Sequence, residues 1–156
     1  MANFYGFERI ATMCSRFIIH LFQCPLEHPT DKRTRATLPY FIARVLHRVN
    51  FHSSVVVAAM ILLCRLKAQY PAVQGSSGHR LFLTALVIAD KILNDDSYEN
   101  ESWVTLSIRM FPLAEINQME QEMCSFLEWD LRVDGEMLRS FEAALNEKFG
   151  IDRPYR

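Results

Sequence analysis

The 156-residue chain is 50% hydrophobic and 22% charged, which is material for one compact domain with a sizeable core and leaves no room for a second. Seventeen Lys and Arg almost balance eighteen Asp and Glu, so no strong field draws the chain to phosphate backbones or anionic membranes, and nucleic acid is not an expected partner. Cys14, Cys24, Cys64 and Cys124 lie far apart, three of them inside apolar helical patterns, and read as reduced structural thiols of an intracellular protein.

Phe4, Phe7, Ile10, Ala11, Cys14, Phe17, Ile18 and Leu21 recur at three- and four-residue steps and draw one apolar stripe on a first helix, which Pro25 stops. The opening has no basic region, and Glu8, Arg9, Arg16 and His20 interrupt the stripe, unlike a secretion signal. From Pro25 to Pro39 the composition turns polar and reads as a surface linker. Cys24 and His28 are the one close Cys/His pair there; without a second pair at ligand spacing no metal site is expected. A second helix runs from about Pro39 to Val49.

Ser53 to Gln69 opens on Val55-Val56-Val57, which alone would suit a buried strand, but the segment continues without a turn signal to Pro71 and its length makes it a helix, capped by Ser53 or Ser54. Its longest apolar run, Val55 to Cys64, is far shorter than the ~18 residues of a bilayer span, so no membrane partner is expected. Gly75-Ser76-Ser77-Gly78 reads as a flexible connector. His79 to Leu93 is then apolar almost all round, the mark of a helix at the centre of a domain.

Asn94 to Ser107 reads as a polar, acidic loop carrying Tyr98 and Trp103. Pro112 suits the first turn of a fifth helix whose Leu113, Ile116, Met119, Met123, Phe126 and Leu127 are expected to face inward. Asp134 caps a sixth, carrying Met137, Leu138, Phe141, Leu145 and Phe149 and closed by Gly150. The expected fold class is all-α, a bundle built on the helix from His79 to Leu93.

Two stretches are more specific. The run from His79-Arg80 through Ala89-Asp90-Lys91, followed by Asn94-Asp95-Asp96-Ser97-Tyr98-Glu99-Asn100 and Trp103, resembles the third helix and following loop of the cyclin box, in the form of the fungal Pcl-type cyclins of the phosphate-response group. Ile116 to Leu131, with Glu120 ahead of an apolar stretch and a Trp129-Asp130-Leu131 exit, is similar to the fourth box helix. The resemblance covers roughly residues 39 to 149. It implies a five-helix cyclin box at 39–150, preceded by an N-terminal helix and linker at 1–38 and followed by a short tail at 151–156. A second helical repeat, as in cell-cycle cyclins, is not expected.

The resemblance also implies a function: a regulatory subunit, itself non-catalytic, that binds and activates a cyclin-dependent protein kinase as a heterodimer in the nucleus or cytoplasm. No cofactor and no small-molecule substrate are implied. In cyclins, the Lys at the position of Lys91 and the Glu at that of Glu120 belong to the kinase-gripping surface, and Tyr98 and Glu99 on the acidic loop are expected beside them. Read from the residues alone, Lys91 ends an apolar helix and Glu120 shares a face with Ile116 and Met123, so the two also suit an internal ion pair with no partner involved.

Where many cyclins carry Asp-Arg late in the second box helix, this chain has Cys64-Arg65, so an Asp-mediated pair to an Arg such as Arg35 is unavailable. That departure keeps open an adaptor that does not activate a kinase. Arg35-Ala36-x-Leu38 resembles the substrate-docking patch of cell-cycle cyclins. A cyclin-fold transcription-factor module would need a basic face, which the composition does not offer, and the five scattered histidines form no nucleophile motif.

Overall fold

The computed structural model describes residues 4–26, 37–73 and 77–150. They form seven helices, α1 (Glu8–Phe22), α2 (Leu38–Val49), α3 (Ser53–Gln69), α4 (Gly78–Leu93), α5 (Asn100–Leu106), α6 (Leu113–Phe126) and α7 (Gly135–Phe149), and no strand among the described residues. Every residue from Leu81 to Asp90 is buried, so α4 is the axis of the bundle, packed by α1, α2, α3 and α6. The all-round apolarity of that segment has this one outlet, because a helix without a polar face gains nothing from solvent. α7 lies on α1 and α3, and α5 on α6 and α2. None of these helices is long and apolar enough to cross a membrane.

Helix ends differ from the sequence expectation for local reasons. α1 starts at Glu8 rather than Phe4, because Tyr5 and Gly6 both take positive φ (56° and 86°) and turn the chain before it. Tyr5 stacks on His47 of α2 at 4.5 Å. The cap of α3 is neither Ser53 nor Ser54: the His52 Nδ1 accepts the Ser54 N–H at 3.1 Å. Ser77 caps α4 by accepting the Arg80 N–H.

Gly78 is no connector residue. It is buried as the first residue of α4, where a β-carbon would stand 2.8 Å from Leu38 Cδ2 and 3.0 Å from Cys24 Sγ. The missing side chain lets α4 meet α1 and α2 closely.

The stretch from Asn94 to Ser107 is not all loop. It contains α5, whose Trp103 is wholly buried and packs against Phe51 and Tyr98 at 6.0 and 5.8 Å between ring centroids. In α6 the inward stripe is narrower than expected: Ile116, Met119 and Met123 are buried, but Leu113 and Phe126 are 39% and 47% exposed. They lie at the two ends of the helix, beyond the reach of the neighbours that cover its middle. On α7 only Leu145 and Phe149 are buried, and Met137, Leu138 and Phe141 are half-buried. Asp134 caps α7 as expected, accepting the Met137 N–H at 2.9 Å.

His28, Arg35 and Ala36, most of the linker and connector, and residues 151–156 lie outside the described residues. Leu38, the last member of the patch-like tetrapeptide, is wholly buried at the start of α2, with no surface to offer a docking peptide.

All four cysteines carry free thiols. Burial pushes the Cys14 thiol up to about 12. Its ionised form is disfavoured in the folded state, so its contribution to stability is complete below the unfolded thiol's ordinary range near pH ~8.5. That contribution falls away as pH rises from there through about 12. In a thiol-labelling time course at pH 8, the half-buried Cys64 should react first and Cys14 only as fast as the whole domain unfolds.

Candidate functional site

The site is assembled where α4 ends. Asp90, 1% exposed, closes the buried run of α4. One of its oxygens accepts the Tyr98 backbone N–H at 2.9 Å, and the other accepts the Asn94 side-chain amide at 2.8 Å. A buried carboxyl is costly unless hydrogen-bonded, and these two bonds fold the acidic loop back onto the helix end. The loop is thereby held at both ends, by Asp90 at Tyr98 and by the burial of Trp103. The Tyr98 ring packs half-buried against Phe51 and Trp103, which makes it an anchor of the loop as well as part of its surface. Glu99 is exposed at the N-terminus of α5.

One residue further along α4, Lys91 emerges from the core. Its Nζ donates to both carboxylate oxygens of Glu120 on α6, at 2.7 and 3.0 Å. Asn100, the first residue of α5, donates its amide to the same Glu120 Oε1 and to Asn117 Oδ1, each at 2.8 Å. The end of α4, the start of α5 and the middle of α6 thus meet in one polar knot at the rim of the bundle, and both expected charges lie side by side in it. The Lys91 and Glu120 side chains are 36% and 20% exposed. An ammonium has three donors and a carboxylate about four acceptor positions, so each keeps roughly one free for another molecule. The thiol of Cys124, one turn beyond Glu120, is pushed up by burial first and then by the Glu120 carboxylate, with Lys91 opposing.

A second ion-pair group went unrecognised in the sequence. Arg80, at the other end of α4, meets Glu115 at 2.7 Å and Glu122 at 3.7 Å. Arg80 and Lys91 are eleven residues apart, which on an α-helix returns to nearly the same face roughly 16 Å along the axis. On α6, Glu120 projects to one side of the buried Ile116, Met119 and Met123 stripe, and Glu115 and Glu122 to the other. The crossing of α6 over α4 is therefore flanked by an ion-pair group on each side. The eleven-residue spacing of the two cations was the available signal.

Arg65, the residue after the cysteine that stands in the Asp position, is satisfied without that Asp. Its guanidinium donates to the backbone carbonyls of Asp130 and Arg132 at 2.7 and 3.0 Å and holds the turn between α6 and α7.

A bundle wrapped on one buried helix, with a Lys at the end of that helix meeting a Glu on a later one, has the construction of a cyclin box. Residues 13–132 match the family described as Cyclin, N-terminal domain, and the chain belongs to the cyclin family. Among curated proteins it is similar to three from Saccharomyces cerevisiae. PHO85 cyclin-9 is 34% identical over 99 residues, covering 62% of this chain and 33% of the relative. PHO85 cyclin-1 is 35% identical over 107 residues (65% and 38%), and PHO85 cyclin-2 31% identical over 104 (65% and 34%). The chain thus spans little more than a third of the length of these relatives.

Replacing Asp90 by Ala leaves the Tyr98 N–H buried without an acceptor, and stability should fall by about 1–3 kcal/mol. Amide exchange at Tyr98 should accelerate well beyond that of the α4 core. If exchange at Tyr98 accelerated no more than that of the core in Asp90→Ala, the loop would be held by something else.

Proposed function

We propose that the chain is the regulatory, non-catalytic subunit of a cyclin-dependent protein kinase, and that the knot of Lys91, Glu120, Tyr98 and Glu99 is the surface that seats the kinase. The observation that carries this reading is the paired Lys91 and Glu120 at the end of a wholly buried helix, each with hydrogen-bonding capacity left over. The names of the yeast relatives make a kinase of the PHO85 type the first partner to test. Four free thiols fit a reducing compartment, nucleus or cytoplasm.

A protein kinase is active only when its αC helix places the Lys–Glu ion pair of its own active site and its activation loop is ordered. A partner shifts that equilibrium only by binding the productive arrangement better than the unproductive one, which calls for a surface that does not itself yield. The elements behind this one are fixed by burial: Lys91 stands on the axis of the bundle, Glu120 on a helix packed against it, and Tyr98 on a loop tied to Asp90. The preformed Lys91–Glu120 pair also keeps either charge from being stranded as the interface dries. An interface of that permanence buries on the order of 2,000 Å².

An exposed or half-exposed ion pair adds at most about 1 kcal/mol to folding stability. Lys91→Ala with Glu120→Ala should therefore leave the unfolding midpoint nearly unchanged while weakening kinase binding by roughly 2–5 kcal/mol. Titration of the co-expressed kinase followed by its activity on a peptide substrate reads both effects. A folded double variant that binds and activates its kinase like the parent removes the assignment.

A further inference from the structure

Asn100, the uncharged member of the knot, is held on both sides by its own chain. Tyr98, two residues before it, is tied to Asp90, and Trp103, three residues after it, is wholly buried. A short side chain with two rotatable bonds on such a frame keeps its amide in a fixed place. That amide donates to Glu120 Oε1 and to Asn117 Oδ1, each at 2.8 Å, and Asn117 stands one turn before Glu120 on α6.

Folding alone does not call for an asparagine here. Asn100 Oδ1 is buried and meets no donor among the described residues. A buried oxygen left unmatched is a cost that a small apolar residue would avoid. Turning the amide over does not help, because Oδ1 would then face the oxygens of Glu120 and Asn117 where hydrogens now stand. The side chain is kept for what it donates.

The acceptor explains why. Lys91 reaches Glu120 from a flexible four-carbon stem, with its side chain 36% exposed, and does not by itself fix the carboxylate. Asn100 supplies the rigid contact. Glu120 Oε1 accepts from Lys91 at 3.0 Å and from Asn100 at 2.8 Å, which fills its two acceptor positions. Oε2 accepts from Lys91 alone among the described residues, at 2.7 Å. The acceptor position left for another molecule is thereby confined to Oε2, beside the remaining N–H of the Lys91 ammonium.

We infer that Asn100 is a positioning residue of the kinase seat: by holding Oε1 it presets Oε2 and the Lys91 ammonium as one acceptor and one donor in a single orientation. The inference rests on the proposed seating of a kinase at this knot. It also gives the short α5 a task, since the burial of Trp103 is what brings Asn100 to α6.

A double-mutant cycle, with the affinity of the full chain for a kinase of the PHO85 type as its measure, tests this. Asn100→Ala should leave the unfolding midpoint nearly unchanged and weaken binding roughly tenfold, the scale of one hydrogen bond to a charged group. In a Glu120→Ala chain the same substitution should change binding by less than about twofold, the margin within which independent effects add. Asn100→Asp keeps the shape of the side chain but exchanges its donor for a second carboxylate oxygen facing Glu120; it should weaken binding more than Asn100→Ala, and again only where Glu120 is present. A purely structural Asn100 would cost the same in both backgrounds, and that result overturns the inference. Unchanged binding in Asn100→Ala and Asn100→Asp, with Glu120→Ala weakened, overturns it too and leaves the seat standing. Unchanged binding in Glu120→Ala removes the seat, and this inference with it.

Discussion

Shielding ten consecutive residues of α4 from water is the constraint to which the rest of the molecule answers. Phe82, Leu83, Leu86, Val87 and Ile88 each gain roughly 1.5–3 kcal/mol by leaving solvent, and they project around the full circumference of the helix, so neighbours must arrive from every side. Polar groups of α4 can then reach water only at its ends. Arg80 occupies one end and Lys91 the other, and Asp90, the last residue inside, is satisfied by the loop that it ties down. Concentrating the apolar mass in one helix is what confines its charges to two small regions of surface.

Those two regions become neighbours of a single helix because α6 crosses α4 between them. The pairing of Lys91 with Glu120 and of Arg80 with Glu115 and Glu122 contributes little to stability, since both are wet and screened. What the pairs supply is position. A rotation of α6 about its own axis that favoured one pair would break the other, while the buried Ile116, Met119 and Met123 would leave their seat. The charges thus select one orientation among several that apolar packing alone would tolerate.

Helix number and order were largely legible because six of the seven segments are long enough for the periodicity of their apolar residues to repeat. α5 was not, being seven residues of mostly polar sequence. Its one strong signal, Trp103, is a residue whose burial creates order around it rather than one that fits a repeating stripe. Periodicity also assigned Leu113 and Phe126 to the inside, since spacing gives a residue's direction but not the reach of the helix that would cover it. The relation of Lys91 to Glu120 came from the resemblance to cyclins; from the residues alone, each could be placed only at the edge of an apolar face. The partners of Arg80 on the far side of α6, Glu115 and Glu122, follow from no apolar pattern.

The close approach at Gly78 bears on what counts as the folding unit. Cys24, Ile18 and Leu38 stand within contact distance of a β-carbon that is not there, so α1 and α2 are fitted closely to the head of the axial helix. A protein shortened to begin at α2 would open a trough where Ala11, Cys14, Ile18 and Phe22 had been. Such bare apolar surface invites self-association. The leading helix is a wall of the structure, and excising it would leave a sticky remnant.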